Sequence, residues 1–332
     1  MGHLTNKHDI SLAMAVWLLH DEYDNGAGLF PDKDLISATS LIKPLKQFIM
    51  SRRVPYQEQV NDLSDFIASR LGHAIHDSVE KAWLLGYQKA LKKLGWSDED
   101  IERIRINPPQ EYPDTKSNAI IPVYLEQRFF RVFSEHLVIS GQADLIIEGQ
   151  LNDMKSTSTF SYTKGSKNKD YQLQGSIYRW LRPDLITKDT IRIQFIFTDW
   201  QRFKAKIDPN YPQQRVLEEE IPLMSLSETE AWINHKIGLL YKYQDVPEES
   251  LPRCSDEDLW RSDPVYKYYS DPQKAREGGR ATRVFSSFGE AMNFRSNKGK
   301  GEVVTIPGQV KACIYCPAFD ICQQRKEYEF EQ

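Results

Sequence analysis

Asp144, Asp153 and Lys155 are the residues of this sequence whose types and spacing are suited to chemistry. They lie in Gly141-Gln-Ala-Asp-Leu-Ile-Ile-Glu-Gly-Gln-Leu-Asn-Asp-Met-Lys155, where two β-rich runs flank Glu148–Gly149, a suitable two-residue hairpin turn. If that pair forms the loop, Ile147 faces Gln150 and, counting outward, Asp144 faces Asp153. Facing Cβ atoms in an antiparallel pair lie about 5 Å apart, and like charges there are destabilising. A divalent cation between the carboxylates removes that cost. Lys155, two residues beyond Asp153, projects from the same face. Two hard oxygen ligands with one ammonium suit Mg²⁺ or Mn²⁺ better than Zn²⁺. Such a metal stabilises charge on a phosphate and lowers the pKa of its water, while the lysine orients that water or helps deprotonate it. The set is equipment for attacking a phosphodiester. D-x-K alone arises by chance in a chain with 27% charged residues, so the paired register carries the argument against an exposed hairpin with scattered charges.

Gly141-x-x-Asp144 followed by Asp153-x-Lys155 resembles the core of the PD-(D/E)XK nuclease superfamily, with Asp153 where many members have Glu. Upstream, Gly72-His-Ala-Ile-His76 is similar to the histidine motif of the RecB-like branch. Downstream, Gln174-Gly-Ser-Ile-Tyr178 resembles that branch's Q-x-x-x-Y motif, and its two ends share one helix face. The order of the motifs matches throughout.

The resemblance implies an α/β fold with a restriction-endonuclease-like mixed β-sheet core flanked by helices. It implies a Mg²⁺- or Mn²⁺-dependent deoxyribonuclease, an exonuclease of recombination, repair or replication of the kind phages also encode. DNA, as single strands or duplex ends, is then the partner, with a separate helicase or recombinase alongside. His76 becomes a third metal ligand beside Asp144 and Asp153, and Lys155 the catalytic lysine. Gln174 and Tyr178 stand beside the site, contacting DNA or bracing the ligands. His73 is read as packed or solvent-facing, and Glu126 as an additional acidic residue near the site. The alternatives are a structure-specific endonuclease, a non-catalytic nucleic-acid-binding or assembly protein on the same fold, and a phosphohydrolase of small nucleotides.

Cys313-Ile-Tyr-Cys316-Pro-Ala-Phe-Asp-Ile-Cys322 gives C-x2-C-x5-C, and Cys254 is the one remaining thiol. Four thiolates can hold a four-iron four-sulfur cluster or tetrahedral Zn²⁺. Zinc sites more often show two C-x-x-C knuckles, and only one pair here has that spacing. The C-terminal group resembles the iron–sulfur clasp of RecB-like nucleases, except that Cys254 follows the core where those families place their first cysteine before it.

The positioning elements are read from periodicity. Helices are expected over Asp9–His20, over Ser37–Met50 with Pro44 in its first turns, and from Gly72 through Lys93 with Ile75, Val79, Ala82 and Gly86 on one face. Pro108, Pro109 and Pro113 mark a linker. Strands are expected at Ile121–Val132, His136–Ile147, Leu151–Ser156, Ile191–Trp200 and Phe203–Ile207, with helices at Tyr171–Leu181 and Glu228–Tyr243. The division is a helical region 1–110 that contributes the His76 helix, a nuclease core 111–250, and a four-cysteine metal-binding region 251–332. Lys164, Lys167 and Lys169 form a basic loop suited to a phosphate backbone. Lys43, Lys46, Arg52 and Arg53 form a second basic group, and Arg295, Lys298 and Lys300 a third. Trp180, Trp200 and Phe203 are candidates for stacking bases, against the commoner core role of such aromatics.

The 332 residues, 40% hydrophobic, make an ordinary globular composition that needs no disulfides to hold a core. Forty-three basic residues against 47 acidic exclude a simple nucleic-acid coat protein but not a nucleic-acid enzyme with a local basic groove. No apolar run approaches a membrane span, the start carries no signal-peptide core, and no G-x-x-x-x-G-K-[ST] loop is present, so a soluble cytoplasmic protein without its own nucleotide-driven motor is expected.

Overall fold

The computed structural model describes residues 3–20, 24–55, 60–109, 120–163 and 167–328; Pro113 of the expected linker and Lys164 of the expected basic loop lie outside them. Two compact units are formed. One comprises Met1–Lys43 and Val60–Gly238, the other Pro44–Gln59 and Leu239–Gln332.

The first unit is built on a seven-stranded mixed sheet with flanking helices. In spatial order its strands are Ile104–Ile106, Ile121–Ser134, Leu137–Ile147, Gln150–Thr157, Thr190–Phe197 and Val216–Pro222, and Asp34–Ser37 joins the third of these. Glu148 and Gly149 have φ of 49° and 79°. Both central residues in the left-handed region define the twist-matched two-residue hairpin turn, and the observed register starts at Ile147↔Gln150 and runs to Leu145↔Asn152. Continued one step, it sets Asp144 opposite Asp153. The strands Gln150–Thr157 and Thr190–Phe197 run parallel, with the helix Asn168–Leu181 in the crossover between them. That helix buries Ile177, Trp180 and Leu181. On the long helix Ile67–Lys93, Trp83, Tyr87 and Leu91 pack against Ile121, Val123, Leu125 and Leu145. They lie seven, eleven and fifteen residues after His76, so the packing face that anchors the helix also aims the histidine.

Two expectations are corrected. Phe203–Ile207 is not a strand: Arg202–Ile207 is a short helix that leaves Phe203 and Ile207 exposed. Period-two alternation over so few residues did not outweigh local helical hydrogen bonding. The sheet's last strand is instead Val216–Pro222, an edge strand whose Glu218 and Glu220 flank Arg192 of its neighbour. Charges on an edge deter further pairing and mask the strand in the sequence. Ser37–Met50 also divides, into Ala38–Leu41 capped by Ser37 and Leu45–Arg52 starting after Pro44. Trp180 is 3% exposed and belongs to the core, not to a stacking platform.

In the second unit, Arg283–Phe285, Val265–Tyr269 and Glu302–Ile306 form an antiparallel three-stranded sheet. The helix Phe288–Lys298 closes it over Tyr268, Phe285 and Ala291. The helix Leu45–Arg52 is tied in by charge. Lys46, buried, pairs with Glu248 at 2.9 Å, and Arg53 donates to the carbonyls of Gln244 and Val246 at 3.0 and 2.6 Å. These two cations serve packing within the unit. Among the described residues no helix is long and apolar enough to cross a membrane.

Candidate metal centre

The site lies at a gap in the sheet. One edge of Leu137–Ile147 pairs with Asp34–Ser37 over Leu137–Ser140 and with Gln150–Thr157 over Leu145–Ile147. Between those stretches Gly141–Asp144 pairs with neither strand. The Asp144 side chain substitutes for the missing ladder, its Oδ2 accepting the Met154 N–H at 3.0 Å.

His76 fixes the other backbone polar group of the same residue, Met154. Its Nε2 lies 3.2 Å from the Met154 carbonyl, which can only accept, so Nε2 carries the proton. Nδ1 then faces Asp144 Oδ2 at 3.3 Å and Glu126 Oε1 at 3.6 Å. A backbone carbonyl orienting one imidazole nitrogen while the other points at carboxylates is the usual arrangement of a metal-ligating histidine. One ligand atom from each of His76, Glu126 and Asp144 lies within 4.8 Å of the others. Without a cation, a proton occupies the space: contact with Glu126 pushes His76 up to about 9, against burial and helped by the charge of Asp144. Burial, then the charge of Asp153, pushes Asp144 up to about 7.

Glu126 has a φ of 45°, a left-handed conformation that costs a non-glycine residue on the order of 1–3 kcal/mol. It interrupts the ladder between Leu125↔Leu145 and Gln127↔Ala143, at the level of Asp144. Its other oxygen accepts from Gln142 Nε2 at 2.8 Å, and Arg128 donates to Gln142 in turn. The carboxylate is thus held from behind and turned toward the histidine.

Asp153, 1% exposed, faces Lys155 Nζ at 2.7 Å and receives Gln174 Nε2 at 3.3 Å. Gln174 Nε2 also donates to the Tyr178 hydroxyl at 2.9 Å. Burial opposes the charge on Lys155, but Asp153 and Asp144 outweigh it and hold the amine above the ordinary lysine range. It is an ammonium at neutral pH, a donor and not a base. Burial raises Tyr178 likewise. Gly141 explains the spacing of the first motif: a Cβ there would sit 2.6 Å from the Tyr178 ring and 3.0 Å from Leu181. Gly141→Ala is therefore expected to push Tyr178 off Gln174, lowering stability by about 1–3 kcal/mol as an overpacked core does. Thermal unfolding alongside cleavage rates checks it; an unchanged midpoint would show that the ring moves freely.

A cleft of about 460 Å³ takes in His76, Glu126, Asp144, Gln174 and Tyr178, and adds Arg70, His73, Glu80 and Arg128. Glu80, one helical turn after His76, was not singled out from the sequence, although its spacing was a usable signal; burial and Glu126 raise its pKa. His73 is exposed and contacts Arg70 at 3.3 Å. Lys167 and Lys169 do not line this cleft. They are exposed, Lys167 beside Tyr162 and Tyr171 and Lys169 beside Gln172 and Glu219.

Cys254, Cys313, Cys316 and Cys322 line one cavity of the second unit, with Lys46, Met50, Leu259, Ala318 and Phe319. Gln324 brings Cys254 to the others by accepting from its N–H at 3.0 Å and donating to its carbonyl at 2.9 Å. Burial pushes Cys254 up to about 12 and Cys313 up to about 11. Converging thiols that resist ionisation alone are what a bound cation would reverse.

No family model matches the sequence, and no curated protein matches it. Among solved structures it is similar to SSO0001, at 15% identity and a TM-score of 0.35, over 70% of this chain and 88% of that one. A phage-related exonuclease from Haemophilus somnus 129PT gives 16% identity and a TM-score of 0.27, over 66% and 96%. Scheffersomyces stipitis Rai1, in complex with (3′-NADP)+ and calcium ion, gives 12% and 0.19, over 87% and 76%. These overlays are loose.

Proposed function

We propose that the protein is a divalent-metal-dependent DNA nuclease of the PD-(D/E)XK type, on a restriction-endonuclease-like core and in the RecB-like branch, acting as an exonuclease in recombination, repair or replication. One observation carries the reading: His76, Glu126 and Asp144 present ligand atoms within 4.8 Å of one another, beside the Asp153–Lys155 pair. A buried hairpin that served only packing gains nothing from this concentration of carboxylates. His76, Glu126 and Asp144 would hold the cation, with Asp153 as the adjacent carboxylate of an oxygen-rich shell. Mg²⁺ or Mn²⁺ bound there would neutralise charge on a phosphate and acidify a water.

The chain's own residues do the rest. Lys155, kept an ammonium by Asp153, holds a proton donor against that carboxylate and can orient a water or a phosphate oxygen beside it. Gln174 holds Asp153 and the Tyr178 hydroxyl together, so the carboxylate cannot swing away. Arg128, through Gln142, keeps Glu126 turned toward His76. Arg70 and Arg128 line the same cleft and supply positive charge for a phosphate backbone, a role in which Lys164, Lys167 and Lys169 remain candidates. A separate helicase or recombinase fits as partner. The test is cleavage with Mg²⁺ and with Mn²⁺ of end-labelled single strands, linear duplexes and closed circles. Loss of linear DNA only supports an exonuclease; cut circles support an endonuclease; no cleavage of any substrate overturns the reading.

The four cysteines are proposed to hold a structural four-iron four-sulfur cluster, since all four ligand positions come from protein. All four thiols line one cavity, and only one pair has the C-x-x-C spacing that zinc knuckles show twice. Anaerobic purification is expected to give a brown protein with about four irons per chain. A colourless preparation with one zinc overturns the cluster and leaves the nuclease reading standing.

A further inference from the structure

The chain's charge is unevenly distributed. Residues 265–306 carry eight basic side chains against four acidic, while the remainder carries 35 against 43. These residues form the sheet and helix of the second unit, and their cations converge. The Arg283 guanidinium lies 4.9 Å from the Phe285 ring centroid and 5.0 Å from that of Phe294. Lys298 Nζ lies 5.5 Å from the same Phe294 ring. Arg295, three residues before Lys298, shares its helix face. Lys300 follows between Gly299 and Gly301, whose φ values of 65° and 89° make the turn. Its carbonyl accepts the Tyr268 hydroxyl at 3.0 Å, so the backbone beneath the lysine is fixed to the core.

The helix C-terminal dipole accounts for Arg295 and Lys298, which it favours by about 0.3–1 kcal/mol each. It does not account for Arg283, which comes from a strand and sits over the same ring. All of Arg283, Arg295, Lys298 and Lys300 are exposed, and among the described residues none pairs with a carboxylate. Like charges gathered from separate elements raise the free energy of the folded chain unless a polyanion neutralises them.

We propose that this face is a second DNA-binding surface, holding the phosphate backbone without reading base sequence. The choice of DNA over another polyanion rests on the nuclease reading; the surface itself rests on the charges. Aromatic rings under Arg283 and Lys298 limit the freedom of those side chains, so less entropy is lost when a phosphate is bound.

The test uses the full chain in buffer without divalent cation, where no strand is cut. Binding of fluorescent single-stranded and duplex DNA is followed by anisotropy between about 50 and 200 mM salt. The variant Arg283→Gln/Arg295→Gln/Lys298→Gln is expected to bind at least about tenfold more weakly at the low-salt end, with a log–log salt slope shallower by about two to three. The charge-conserving Arg283→Lys/Arg295→Lys/Lys298→Arg should keep the wild-type slope, which separates charge from folding. Unchanged affinity and slope in the glutamine variant overturn the surface. Competition by polyglutamate or anionic vesicles as strong as by DNA overturns the choice of nucleic acid. If the slope is lost but wild type cuts nothing with any metal, the surface stands and the nuclease reading fails. If wild type cuts and the slope is unmoved, only the surface fails.

Discussion

Asp144→Asn is expected to lower metal-dependent cleavage by roughly a thousandfold or more while the chain stays folded. Asparagine keeps the shape and an oxygen acceptor for the Met154 N–H, 3.0 Å from the carboxylate in the native chain. What it removes is the charge that faces His76 Nδ1 at 3.3 Å. Loss of a bound cation forfeits several kcal/mol of transition-state stabilisation, and each 1.36 kcal/mol or so is a factor of ten. Neutralising a half-buried carboxylate that is raised to about 7 should not destabilise the metal-free fold. Single-turnover cleavage with Mn²⁺, read beside thermal unfolding, checks both halves. Lys155→Ala should also lose turnover but keep the cation, because the ammonium touches Asp153 and not the three converging ligands. Near-wild-type turnover in Asp144→Asn, with Mn²⁺ still bound, would move the metal centre elsewhere.

The hairpin was legible because two local signals agreed. Glu148–Gly149 admits the left-handed backbone that a two-residue turn needs, and the flanking runs alternate with the strand period. The extent of the histidine helix was legible from its apolar spacing, but its packing face was not: Trp83, Tyr87 and Leu91 reach the core, while Ala82, in the row expected to pack, is exposed. Glu126 was available to the same reasoning but less sharply. Pairing Ile121–Ser134 with Leu137–Ile147 brings it level with Asp144, yet its left-handed φ has no sequence signature. The gap at Gly141–Asp144 could not have been read locally at all. It exists because Asp34–Ser37, about a hundred residues upstream, occupies one end of the strand edge and leaves the middle open. The same limit explains Pro44–Gln59. Nothing in its composition says that Lys46 and Arg53 will find Glu248 and Val246 in the second unit. Long-range partners of charged residues carry no periodicity, so those cations look like solvated surface in the sequence.

Metal affinity is expected to rise with pH and level off only near 9, because the cation competes with protons at its own ligands. In the metal-free chain His76 is raised from 6.5 to about 9 and Asp144 from 3.8 to about 7. Both shifts are upward, so the folded metal-free protein binds more protons than the unfolded chain. The His76 contribution to stability is whole below 6.5 and is lost as pH rises through about 9; that of Asp144 is lost over the lower window up to about 7. A cation needs Nδ1 of His76 bare and Asp144 ionised. Between about 7 and 9 one proton must leave, and affinity should climb about tenfold per pH unit; below 7 a second proton steepens the climb. The stabilisation given by Mn²⁺ in thermal unfolding should therefore be larger at alkaline than at acid pH, opposite to the trend of the metal-free chain at these two residues. Titration calorimetry in two buffers of different ionisation enthalpy counts the protons released. Close to one proton near the middle of that window, rising toward two below about 7 and falling toward none above about 9, is the expected result. Mn²⁺ binding with no proton release across the whole range would show that His76 is not a ligand.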